Sequence, residues 1–106
     1  MSFYQPLRFP READTRRHER HDVSLDGRVR ELGSPAAAGQ IKNLSIAGCR
    51  IRNTDLPKHA EIWVTLGSSQ PMRARVVWVG SGEAGCEFYA PLSRTALRAI
   101  MLDRPA

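Results

Sequence analysis

Apolar residues recur at every second position through the middle of this chain and at helical spacing only near its end. Val23 and Leu25 alternate with polar neighbours from Asp22, and Val29 resumes the pattern after Asp26-Gly27, a pair suited to a turn or bulge. A short strand begins at Ile41, and after NLSIAG, Cys49 and Ile51 alternate with Arg50 and Arg52, giving one face to a core and one to water. In EIWVTL, Ile62, Val64 and Leu66 share a face. MRARVVWV sets Ala74, Val76 and Trp78 on one side, with Arg73, Arg75, Val77 and Val79 on the other, and CEFY closes the series. Leu32 to Gly39, Asn53 to Ala60, Gly67 to Pro71 and Gly80 to Gly85 read as loops or turns by their Gly, Pro, Ser and Asn content. Five or six short strands at this spacing predict an all-β fold, a small antiparallel barrel or sandwich.

The period then changes. Ser93 is suited to an N-cap, Leu92 and Leu97 occupy the two positions of a hydrophobic staple, and Leu97, Ile100 and Met101 form one stripe. A C-terminal helix is expected to end near Leu102, before Arg104 and Pro105, and to pack on the β-structure. Residues 1–15 have no sustained periodicity and carry Pro6 and Pro10, so they are expected to form a flexible N-terminal arm, with one domain over 16–106.

Composition narrows the class. A hydrophobic fraction of 42% and a charged fraction of 25% fit a soluble globular chain, no apolar run reaches membrane-span length, and the N-terminus lacks an export-signal pattern. The expected location is cytoplasmic. Two cysteines, Cys49 and Cys86, are too few for a disulfide scaffold or a zinc site and are expected to be small buried residues; the echo between AGCRI and AGCEF reads as two similar strand starts. The net charge of +5 points to an anionic partner, but Glu12, Asp14 and Glu19 interrupt the five arginines between Arg8 and Arg20. A nonspecific polycation gains by massing uncompensated charge; here the arginines are placed.

Catalytic chemistry finds no support. His18 and His21 lie in a run of arginines that repels a metal cation, and His59 has no partner ligands in sequence. Ser45 lies in no nucleophile elbow, and neither a GxGxxG nor a P-loop is present. The chain is expected to be non-enzymatic, without metal or cofactor.

Two stretches remain. TRRHER carries Arg16 and Arg20 as RxxxR, and NLSIAGCRI carries Asn43, Ser45 and Gly48 as NxSxxG. Together, in this order inside an all-β pattern, they resemble the signature of the PilZ domain family, bacterial receptors for the second messenger cyclic di-GMP. The resemblance continues through VVWV, GCEF and the terminal helix, from about Arg16 to Leu102. It implies a six-stranded antiparallel β-barrel with a C-terminal helix, cyclic di-GMP as ligand, and a downstream protein partner.

The chemistry of the ligand suits these residues. Cyclic di-GMP offers two guanines and two phosphodiesters, and an arginine fork donates in parallel to guanine O6 and N7 or bidentately to phosphate. Arg16 and Arg20 are expected to grip it from an arm that closes over the barrel, with Arg17 adding a phosphate contact. Asn43 accepts from guanine N1 or N2 without the charge of the carboxylate found in many relatives, Ser45 meets phosphate or base, and Gly48 permits a tight bend or close approach. Trp78 suits either a stack on guanine or a place in the core. Arg50, Arg52, Arg73 and Arg75 read as solvated outer-face residues. Thr15, where a further arginine could hold a second stacked ligand, points to one ligand per chain. Two other functions compete: a protein-interaction adaptor that has lost nucleotide binding, and a single-strand nucleic-acid binder, which calls for aromatics spread over one sheet face.

Overall fold

The computed structural model describes residues 19–102. Six strands, β1 (His21–Glu31), β2 (Ala37–Leu44), β3 (Gly48–Arg52), β4 (Glu61–Leu66), β5 (Met72–Gly80) and β6 (Glu83–Phe88), precede a helix, α1 (Arg94–Met101). The strands close into a barrel in the order β1-β2-β3-β6-β5-β4, antiparallel at every seam. Closure leaves no strand edge unpaired. β3 and β4 therefore lie on opposite walls, as do β6 and β1.

Alternation fills the interior as expected. Ile41, Leu44, Ile51, Ile62, Val64, Leu66 and Val76 are fully buried, and each fully buried Leu or Ile side chain contributes about 1.5–3 kcal/mol. The helix joins this core through Leu97 and Ile100, with Leu92 and Met101 packed beside them. The Ser93 side chain accepts a hydrogen bond from Ala96 N at 3.0 Å and caps its first turn.

Four local expectations are corrected. β1 runs unbroken through Asp26-Gly27, where a Cβ on Gly27 would stand 2.9 Å from Ile41 Cδ1; this glycine makes room for a core side chain. β2 starts at Ala37, inside the stretch read as loop, because Ala37–Gly39 pair with Gly27–Val29 of β1. The β5–β6 turn is only Ser81 and Gly82, both at positive φ (55° and 74°), the backbone of a two-residue hairpin turn, so β6 begins at Glu83 and not after Gly85. The two Ala-Gly-Cys stretches are not equivalent strand starts: Gly48 opens β3, whereas Gly85 sits in mid-β6.

Cys49 and Cys86 are directly paired across β3 and β6, both buried and free. A hydrogen bond to Cys86 and burial push the Cys49 thiol up, so it holds its proton.

Candidate functional site

The site is built by strand register. The β1–β2 pairing shifts between Asp22 and Leu25, the β2–β3 pairing between Ile41 and Asn43, and the β5–β6 pairing between Val76 and Trp78. Each shift inserts an extra residue in one strand, so that Ile41 and Asn43, and Val76 and Trp78, two apart in sequence, fall on opposite faces where simple alternation would keep them together. The outcome is one row of outward positions across five strands: Asp22 faces Asn43, Asn43 faces Arg50, Arg50 faces Gly85, and Gly85 faces Trp78.

Trp78 is thereby moved off the inward face it was expected to share with Ala74 and Val76. It is 42% exposed, beside the exposed Val77 and Val79. Its indole lies directly on Gly85, where any Cβ would overlap Trp78 Nε1. A glycine inside a strand marks such a close approach.

At the other end of the row, Arg20 Nη1 donates to Asn43 Oδ1 at 3.1 Å, and Asn43 Nδ2 donates to Asp22 Oδ1 at 3.4 Å. Arg20 and Asn43, 23 residues apart, are in contact. Arg16 and Arg17 lie outside the described residues.

Ser45 and Gly48 shape the corner between β2 and β3. Ser45, only 2% exposed, receives Ala47 N at 3.1 Å and Gly48 N at 3.3 Å on its Oγ, while its own N donates to Gly48 O at 2.9 Å. Gly48 packs so tightly on β6 that an added Cβ would overlap the Cys86 carbonyl oxygen. The corner is also pinned from the far side, because Phe88 N donates to Ala47 O at 2.8 Å and Leu92 N to Ile46 O at 2.9 Å.

Three residues of this wall escaped sequence reasoning: Asp22, Arg50 and Gly85. Asp22 places a carboxylate against Asn43, the charge that Asn43 itself lacks. Arg50, read as a solvated outer-face residue, stands mid-row with its Nε buried and without a hydrogen-bond partner, 3.8 Å from Glu83 Oε1; Arg52 Nε is 3.4 Å from Oε2 of the same glutamate. A glycine at an outward position of a strand is the one sequence signal that could have marked this row.

Among the described residues no three His, Cys, Asp or Glu side chains are grouped to hold a metal ion, and no helix is long and apolar enough to cross a membrane.

A closed six-stranded antiparallel barrel with a C-terminal helix is the fold of known relatives. The PilZ domain family model matches residues 14–102, and the chain belongs to that family. Among solved structures, it is similar to the PilZ domain of CeSA from a cellulose-synthesizing bacterium (TM-score 0.56, 15% identity, covering 79% of this chain and 91% of that one). It is also similar to the Bacillus subtilis inhibitor of motility MotI/DgrA (TM-score 0.56, 14% identity), covering 79% of this chain but 46% of that one. No curated protein matches the chain.

Proposed function

We propose that this protein is a non-enzymatic receptor for cyclic di-GMP that grips its ligand across the outer wall running from Asp22 to Trp78. The observation that carries the reading is the registered row with Arg20 bonded to it: two cations, a carboxylate, an amide and an exposed indole on one surface. Arg20 joins Arg16 and Arg17 on an arm that closes when the ligand arrives, presenting forks to guanine edges and phosphates. Asn43 and Asp22 accept from guanine N1 and N2, with Asp22 supplying the negative charge. Arg50, whose side chain is 41% exposed, reaches a phosphate through its guanidinium, and Trp78 stacks on a base. Ser45 and Gly48 act through the corner, holding Asn43 at the required place. Closure of the arm changes the surface offered to a downstream protein partner, and its ordering entropy must be exceeded by the charged contacts.

Titration calorimetry with cyclic di-GMP on the wild type, Arg16→Ala and Arg20→Ala tests this. Saturable binding by the wild type and its loss in both variants is the expected result. Equal heats from all three proteins would end the proposal. One observation favours a second reading, an adaptor that keeps the barrel without nucleotide: the Asn43 amide already has partners at both ends, in Arg20 and Asp22. That reading predicts no heat from the wild type.

A further inference from the structure

The wall opposite the Asp22–Trp78 row carries a second constellation. On β1, Arg28 and Arg30 point outward and are exposed; across the seam Arg28 faces Thr65 and Arg30 faces Trp63, and Trp63 faces Arg73 on β5. Arg28, Arg30, Trp63 and Thr65, together with Ala36 and Pro71, line a groove of about 370 Å³. Its Trp63 ring is held from the neighbouring strand. The Arg73 guanidinium lies 5.4 Å from the ring centres of both Trp63 and Tyr89, and Glu61 holds it by an ion pair at 3.4 Å while accepting the Tyr89 hydroxyl. Arg73 is thus neutralised and stacked, whereas the side chains of Arg28 and Arg30 have neither hydrogen bond nor ion pair among the described residues.

We propose that this groove docks an acidic, extended segment of a partner protein, with two carboxylates at alternate positions engaging Arg28 and Arg30 and an apolar side chain at the next alternate position, on the same face, resting against Trp63 and Pro71. The spacing carries the assignment. Residues i and i+2 of a strand are about 6.6–6.8 Å apart on one face, the repeat of alternate side chains in an extended peptide laid alongside. Two unpaired guanidinium forks at that repeat match two carboxylates bidentately. The closed barrel has no edge for main-chain addition, so recognition falls to side chains, and Glu61 leaves the wall mixed in charge. A nucleic-acid strand fits less well, because Arg73 already lies over the Trp63 ring and between it and Tyr89, leaving no run of free rings for successive bases. The inference stands apart from the messenger reading, since the groove and the row share no residue.

The test is fluorescence anisotropy with the full chain against labelled nonapeptides centred on Glu-Ser-Glu-Ser followed by Leu, Val or Phe, and against their Gln counterparts. Glu peptides are expected to bind at least about tenfold tighter than Gln peptides, and Arg28→Glu/Arg30→Glu is expected to remove that preference. The same double variant should keep the wild-type far-ultraviolet circular dichroism spectrum and thermal midpoint, which separates loss of the groove from loss of the fold. Absence of binding by every Glu peptide, equal binding of Glu and Gln peptides, full binding by the double variant, or tighter binding of an oligothymidylate overturns the proposal.

Discussion

Gly85 and Trp78 form a unit in which one residue's missing side chain is the other's seat. Gly85→Ala is expected to lift the indole from β6, seen as a change in tryptophan emission, and to weaken cyclic di-GMP as Trp78→Ala does. Loss of one base–aromatic stack costs roughly 1–3 kcal/mol, or about five- to 150-fold in affinity, and calorimetry measures it directly. Because Trp78 is exposed, Trp78→Ala should leave the thermal midpoint nearly unmoved; a large fall would place the indole in the fold's support and not in the site. Cys49 gives a prediction of another kind. Its thiol holds its proton in the barrel, through Cys86 and burial, to higher pH than an unfolded chain, where a thiol ionises near pH ~8.5. The folded state then binds more protons than the unfolded one, so this contribution is complete below about pH 8.5 and is lost as pH rises toward the native value. Urea midpoints at neutral and alkaline pH should show the fall in the wild type and less of it in Cys49→Ala.

At the scale of elements, the β2–β3 corner is a small piece of backbone engineering centred on one hydroxyl. Ser45→Ala strands two N–H groups, Ala47 N and Gly48 N, in a largely buried place and is expected to cost about 1–3 kcal/mol, read as a lowered denaturation midpoint. Gly48→Ala should cost more, since the new methyl meets the Cys86 carbonyl, a backbone atom with nowhere to move. The strands themselves were legible in the sequence, because Ile62, Val64 and Leu66, or Cys49 and Ile51, obey simple alternation. The helix was legible too, through its Ser93 cap and its Leu97–Ile100 stripe. The register shifts were not. A bulge leaves no mark on composition, so alternation carried Trp78 inward past Val76 and hid the fact that Asp22, Asn43 and Arg50 share a row. Gly85 misled for a related reason: glycine signals both turns and close approach, and only the structure tells which.

For the whole molecule, a ligand bound to the folded state alone adds about 2.7 kcal/mol at a hundred times its dissociation constant. For a domain of this size that corresponds to a rise of the order of 10–20 °C in melting temperature, which a thermal-shift titration with cyclic di-GMP should show and Arg20→Ala should lack. The RxxxR and NxSxxG stretches made the family readable, whereas Asp22 and the Arg28–Arg30 groove depend on which strands the closed order makes neighbours. The tie between Ile46 and Leu92, and between Ala47 and Phe88, reaches further than local stability. It harnesses the β2–β3 bend to the stalk of the terminal helix, so a displacement of one is passed to the other. A reporter dye fixed at exposed Arg98 would therefore sense messenger arriving far around the cylinder, and a domain fused behind that helix would inherit the same signal.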